Sequence, residues 1–375
     1  MVPVSMSLAE DGARASVIDS DHDVRLFDLD DGSQFAEYAP FFKVVGTSAI
    51  DPVTGAVAFS ETSETCNEAR CDFRRIATLP VGDAGPSGGQ SYEGLGRTAA
   101  DIEYSADGSQ FAALAASMGL QSPGRVALWR AGAGDPVLLD LDVSGFEPQP
   151  SGEFGAVKFS PSGSRLYASG FGPTIVIDTA SGEELRRIPG NGILAVSPDG
   201  RRIAVRDGSL AVRIVDPSGV APPTTVPLSF LPSVADFSPD SRQLAIAADN
   251  GIVVASTSTG DIAETLREHD GAVTAVEFRT NGELVTAGAD GAIITWDLGD
   301  WSAGFRTEQF NRPNVSVELD ERTLALERSN GTTQVTVADP AEWEERACQV
   351  AGRVLTEQEW GELLGARPYS PACRE

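Results

Sequence analysis

Positive charge, histidine, cysteine and long apolar runs are all scarce in this sequence, and each shortage excludes something. Lys and Arg number 28 against 55 Asp and Glu, a formal net charge of −27. A surface this acidic repels phosphate backbones and anionic lipid heads, and no basic cluster offsets it. Nucleic acid is therefore not an expected partner, whereas basic or neutral proteins are. No apolar run reaches the roughly 18 residues of a membrane-spanning helix, so direct membrane insertion is not expected. Segment 1–11 has neither the basic n-region nor the apolar h-region of a signal peptide. Strand-like sequence begins almost at Met1, which leads us to expect a domain that follows another, or a trimmed gene start.

The two histidines, His22 and His269, leave little material for acid–base chemistry. Residues 85–89 (GPSGG) fit G-x-S-x-G around Ser87, but no apolar strand leads into them and Pro86 precedes the serine. A loop is expected there. Residues 94–99 (GLGRTA) match a dinucleotide fingerprint in letters only, with no strand before and no βαβ unit after. His22 lies among Asp19, Asp21 and Asp23, and Val24 stands where a calcium loop of EF-hand type needs glycine, so a solvated turn is expected.

The four cysteines form two local pairs, Cys66 with Cys71 and Cys348 with Cys373. Neither pair has metal-ligand spacing, so no metal and no cofactor are expected. Each pair could close a loop as a disulfide. That would point to an oxidising compartment, and free thiols to the cytoplasm.

What is abundant is a repeated turn. Asp11-Gly12, Thr54-Gly55, Asp107-Gly108, Ser162-Gly163, Asp199-Gly200, Asp240-Ser241, Asn281-Gly282 and Asp320-Glu321 recur between apolar, β-prone stretches. Their second positions are 43, 53, 55, 37, 41, 41 and 39 residues apart. Asp-Gly and Asn-Gly favour type I′ hairpins, because both residues tolerate positive φ. A period near 40 residues built of hairpins is the signature of a propeller blade. In one unit, 272–278 reads as strand a, 284–288 as strand b and 292–298 as strand c. The strands are apolar nearly throughout, as sheets buried on both faces require. Units start near Val4, Val44, Asp101, Gly155, Asn191, Ser233, Ala272 and Val315. The fold expected is an all-β propeller over 1–340, with eight blades and seven as the runner-up. The last unit shows no clear fourth strand.

Residues 268–298 (EHDGAVTAVEFRTNGELVTAGADGAIITWDL) resemble a WD40 repeat from end to end. The resemblance implies a buried hydrogen-bonded network of His269, Thr286, Asp290 and Trp296, although Glu268 stands where a glycine usually precedes the histidine. The other strand-c ends read Phe27-Asp28, Trp129-Arg130, Ile177-Asp178 and Val215-Asp216, with no matching histidine. One blade would thus carry the full network and the rest would rely on packing. The resemblance covers residues 4–340, strongly in 155–298 and weakly in 1–100.

Residues 341–375 read as a helical hairpin. Asp339-Pro340 with Glu342 opens one helix, and Thr356 with Glu359 caps a second that ends at Gly365. This segment is similar to the tail of actinobacterial WD40 proteins that carry STAND ATPase, trypsin-like peptidase or kinase domains. That likeness implies the sensor or docking end of such an architecture. A cap on the ring is the plainer role.

Longer connections fall at 61–73, 81–98, 116–125 and 141–154, read as b–c, d–a, b–c and d–a loops on one face. They offer Phe73, Tyr92, Met118, Leu120, Phe146 and Phe154, with Arg97 and Arg125 nearby, as a candidate partner face. The expected role is a non-catalytic, monomeric protein-interaction scaffold or sensor module. The alternatives are a propeller enzyme with a central-channel site, lactonase-like or quinoprotein-like, and an extracytoplasmic structural protein.

Overall fold

The computed structural model describes residues 5–8, 14–18, 23–28, 34–38, 43–62, 74–79, 91–92, 95, 99–115, 124–130, 136–141, 156–170, 172–208, 210–290, 292–296, 303–306, 316–318, 324–329 and 332–337. The segment 341–375, all four cysteines and His22 lie outside the described residues.

The described chain is a succession of antiparallel sheets, each contiguous in sequence. The first sheet comprises β1 (Ser5–Leu8), β2 (Arg14–Ile18), β3 (Val24–Asp28) and β4 (Gln34–Tyr38). The second comprises β5 (Lys43–Ile50), β6 (Val57–Thr62), β7 (Arg74–Leu79) and β8 (Ser91–Tyr92). The third runs through β9 (Ala99–Tyr104), β10 (Gln110–Ala115), β11 (Gly124–Arg130) and β12 (Val137–Leu141). The fourth is β13 (Ala156–Phe159), β14 (Arg165–Ser169), β15 (Thr174–Asp178) and β16 (Glu184–Ile188). The fifth is β17 (Ile193–Val196), β18 (Ile203–Arg206), β19 (Ala211–Val215) and β20 (Thr224–Pro227). The sixth is β21 (Pro232–Phe237), β22 (Gln243–Ala248), β23 (Gly251–Ser256) and β24 (Ile262–Leu266). The seventh is β25 (Val273–Phe278), β26 (Leu284–Gly288), β27 (Ile293–Trp296) and β28 (Ala303–Arg306). The last described sheet has three strands, β29 (Ser316–Glu318), β30 (Leu324–Ser329) and β31 (Thr332–Val337).

Within each sheet every strand pairs with the next in sequence, so the four strands are a, b, c and d in turn. The a strand of each sheet lies against the a strand of the next, and β29 comes round to β1. Each adjacent pair among the first seven sheets shares an apolar cluster. Alternate residues of one strand feed opposite clusters. Val254 packs towards the seventh sheet and Val253 towards the fifth. This is why the strands read as unbroken apolar runs instead of alternating ones. Complete burial of a Val, Leu or Ile side chain contributes about 1.5–3 kcal/mol, so the stacked faces hold the sheets together.

The a–b turns differ from the expected type I′. In a type I′ turn both central residues have positive φ. Here the second residue alone does, at Gly108 (65°), Gly163 (65°), Gly200 (66°), Ser241 (59°) and Gly282 (89°). The N–H of Gly108, Gly163, Gly200 and Gly282 donates back to the residue three earlier at 2.8 Å. The loop is a type I turn closed by one left-handed residue. The preceding aspartate is held right-handed by its own bonds. Ser105, Ser197 and Ser238 donate a hydroxyl to Asp107, Asp199 and Asp240 at 2.7 Å. The same carboxylates take the N–H of Ser109, Arg201 and Arg242 at 2.9–3.0 Å.

On the inner edge, each a strand exposes N–H groups that need partners. For β13 and β25 the neighbouring sheet supplies them. Asp101 and Glu103 of β9 accept from Val157 N at 2.9 Å and Phe159 N at 2.8 Å in β13. Asp236 of β21 accepts from Phe278 N of β25 at 2.7 Å. Lys158 Nζ lies 2.9 Å from Glu103 Oε2.

Candidate functional site

Two ends of the sheets must be told apart. The a–b and c–d turns lie at one end, and the b–c and d–a connections at the other. The a–b/c–d end is tied across sheets by side-chain donors. Arg130 Nε donates to Thr179 O at 3.1 Å, Arg186 to Asp216 O at 3.1 Å, and Arg202 to Ser241 O at 3.4 Å. The turn carboxylate Asp216 is held down to about 2. Burial opposes this, but the Ser218 hydroxyl and the N–H groups of Ala221, Ser218 and Val220 outweigh it.

At the other end, in the seventh sheet, the structure brings His269, Thr286, Asp290 and Trp296 together. His269 precedes β25, Thr286 is mid-β26, Asp290 is in the b–c turn and Trp296 ends β27. His269 Nδ1 lies 3.1 Å from Asp290 Oδ1, and its Nε2 lies 2.9 Å from Thr286 Oγ1. Trp296 Nε1 donates to Thr286 Oγ1 at 3.0 Å. One proton arrangement satisfies all four. Trp donates to Thr, the Thr hydroxyl donates to Nε2, and Nδ1–H donates to the carboxylate. Asp290 also accepts from Asp270 N at 2.9 Å and Ala292 N at 3.1 Å. Its pKa lies below the ordinary value. Burial would raise it, but those two N–H groups and His269 win. Both imidazole nitrogens are thereby committed, in a residue only 3% exposed. Space for the ring comes from Gly288, where a Cβ would fall 2.5 Å from both His269 Nδ1 and Asp290 Oδ1.

The third sheet fills the same slot differently. Register makes Trp129 the counterpart of Trp296 and Ala113 that of Thr286, while Leu95 precedes β9 as His269 precedes β25. Leu95, Ala113, Phe111 and Trp129 form one apolar cluster. Trp129 Nε1, with no hydroxyl opposite, has no hydrogen-bond partner among the described residues. The Phe111 and Trp129 rings stack at 4.7 Å.

Of the candidate partner residues, Tyr92 and Arg125 are described. Tyr92 does not sit in a d–a loop. It belongs to β8, opposite Ile76, and its ring meets Phe111 at 4.8 Å and Trp129 at 5.9 Å. The sequence reading missed β8 because two residues carry too little pattern to mark a strand. Residues 80–90 therefore connect c to d, at the opposite end from 63–73, 116–123 and 142–155. The expectation that all four long connections share one face is corrected to three. Arg125 lies in β11, opposite Asp140 and Ala115, and not in a loop. Phe73, Arg97, Met118, Leu120, Phe146 and Phe154 lie outside the described residues, as do Cys66, Cys71, Cys348 and Cys373.

The sequence reading also overlooked a group at the seam of the fifth and sixth sheets. Eight large apolar side chains are conspicuously exposed among the described residues, and Leu210, Phe230, Leu231 and Ile262 gather here. Single exposed residues in short connections carry no periodic signal, though the run Leu228-Ser229-Phe230-Leu231 marks an apolar loop.

No curated protein matches the chain. Residues 260–297 match the WD40 family (WD domain, G-beta repeat), a span running from β24 of the sixth sheet through β27 of the seventh. A WD40 repeat is thus found where the four-residue network lies, in an all-strand fold of antiparallel sheets consistent with a WD40 β-propeller.

Proposed function

We propose that the chain is a non-catalytic protein-interaction scaffold or sensor module, an eight-bladed propeller of WD40 type that receives protein partners at its b–c/d–a end. WD40 repeats in general mediate protein interactions, and one is present. The observation that carries the placement is the contrast between the two ends. At one, the a–b turns are short and closed on themselves by serine–aspartate bonds. The other has three long connections and the exposed group of Leu210, Phe230 and Leu231. Exposed apolar groups on an acidic surface mark contact sites. Commitment of both His269 nitrogens to the network argues against a histidine-based active site.

Hydrogen exchange of the full chain, free and with a captured partner, tests this reading. Protection is expected at the b–c and d–a connections. Protection confined to the a–b and c–d turns would refute it. So would a stoichiometric metal or quinone in the purified protein, as the enzyme alternative requires.

A further inference from the structure

The seam between the fifth and sixth sheets has a shape and a rim that define one kind of occupant. Beneath it the sheets are locked. Arg206 Nε donates to Pro232 O at 3.0 Å, and its terminal nitrogen donates to Ser233 O at 2.6 Å. Above, the chain opens. Leu228 N donates to Leu210 O at 2.7 Å, which sets Leu210 beside the 228–231 loop. A groove of about 100 Å³ runs outward from this loop along β24, walled by Leu228, Phe230, Val253 and Ile262. That is room for one large apolar side chain. Its floor includes Gly251, where a Cβ would come only 3.3 Å from Leu266 O and 3.6 Å from Arg267 Cγ. A side chain at 251 would narrow the groove.

Phe230 is 47% exposed and Leu231 66%, so neither is held in the core. The groove also offers donors. Arg267 lines it and has no hydrogen bond or ion pair among the described residues, and Asn250, which gives one amide hydrogen to His269 O at 3.4 Å, lines it with a second to offer. Such donors suit the carbonyl oxygens of an extended main chain. Asp249 and Glu268, both exposed, adjoin the lining residues Asn250 and Arg267 in sequence and form an acidic rim there, on a chain of net charge −27. Exposed acids beside a slot with apolar walls and polar donors steer and retain basic flanks.

We propose that this groove takes an extended segment of a partner protein, which seats one large apolar side chain against Phe230 and sets basic side chains against the acidic rim. The assignment rests on the scaffold reading above and gives its partner a chemistry.

Three labelled peptides test it, each with a central Trp-Leu and flanks of Arg, Ser or Glu. Binding to the full chain is read by fluorescence anisotropy at low and high ionic strength. The Arg-flanked peptide is expected to bind tightest, with an advantage that shrinks as salt rises. Phe230→Ala and Leu231→Ser should each weaken it about tenfold, the equivalent of about 1.4 kcal/mol. Val220→Ser, in the c–d connection of the fifth sheet, should not. A cationic peptide held only by net charge would ignore Phe230, and that result overturns the proposal, as does tightest binding of the Glu-flanked peptide. If a partner protects 63–73, 116–123 and 142–155 but leaves 228–231 unchanged, the groove assignment falls and the scaffold reading stands.

Discussion

His269 Nε2 and Thr286 Oγ1 meet at 2.9 Å inside the seventh sheet, and the same hydroxyl accepts from Trp296 Nε1 at 3.0 Å. One oxygen therefore satisfies two buried nitrogens. Thr286→Val keeps the shape and strands both. An unsatisfied buried group costs about 1–3 kcal/mol, so for two a loss of about 2–6 kcal/mol is expected in urea unfolding. Thr286→Ser should retain most of it. The third sheet supplies a sharper test, because it fills the slot with Leu95 and Ala113. His269→Leu combined with Thr286→Ala should cost less than the sum of the two single changes, by at least about 1 kcal/mol. Strict additivity would mean that the network is not a unit.

Gly288→Ala should be severe although the backbone there is ordinary. The new methyl would lie 2.5 Å from His269 Nδ1 and Asp290 Oδ1, and the imidazole cannot retreat without losing Thr286. A drop of about 2 kcal/mol or more is expected, in the range of overpacked cores. Gly251→Ala, with its nearest neighbour at 3.3 Å, should cost far less. Melting temperatures of the two variants would show it.

Stability should peak in mildly acidic solution. Asp101 and Asp236 both have pKa values raised to about 6. Burial is the main cause, and Lys158 pulls both down. Glu103 pushes Asp101 further up. N–H groups of Val157 and Ile102 lower Asp101, and those of Phe278 and Phe237 lower Asp236. Their folded values exceed the ordinary 3.8, so the folded state takes up protons first, and stability grows as pH falls from above 6 towards 4. Asp107, Asp178, Asp199, Asp216, Asp240 and Asp290 have lowered values, so their contribution is present above the ordinary carboxylate range and is lost on further acidification. Relief of the net charge also acts on the whole chain, so the informative quantity is a difference. Asp101→Asn should gain on wild type at pH 7.5 and lose that gain near pH 5, in melting curves. A pH-independent difference would contradict it.

Ser241 occupies the left-handed position that glycine holds in the five other described a–b turns with a positive φ, at φ 59°. Its hydroxyl accepts from Asp199 N at 3.2 Å across the sheet boundary. Ser241→Gly relieves strain but removes that bond, each worth about 1 kcal/mol, so little net change is expected. Ser241→Ala keeps the strain and loses the bond. It should fall below Ser241→Gly by about 1 kcal/mol in chemical denaturation.

Much of this architecture can be read from the residues. The eight a strands begin within two residues of the positions marked by Val4, Val44, Asp101, Gly155, Asn191, Ser233, Ala272 and Val315. Turn residues and double-sided apolar strands are local signals, and local signals survive in one sequence. The network residues were legible for a related reason, since four polar types at fixed offsets resemble one known repeat. Turn geometry was not, because Asp-Gly fits both a type I′ turn and a type I turn with a left-handed closing residue. The serine two positions ahead, whose hydroxyl decides between them, looks like any loop serine. β8 was missed because Tyr92 is placed by the rings of Phe111 and Trp129, nineteen and more residues away. The seam at Phe230 depends on two sheets meeting, which no single window of sequence contains.

The meeting of β29 with β1 has a mechanical consequence. Among the described residues neither sheet lends a strand to the other, so the two are fastened there by side-by-side contact and not by shared ladder bonds. A force applied to both ends would open that fastening first. It would then peel sheets away one after another, because each is a single stretch of chain. An optical trap should record a staircase of extensions of similar length, each the reach of one turn-to-turn repeat.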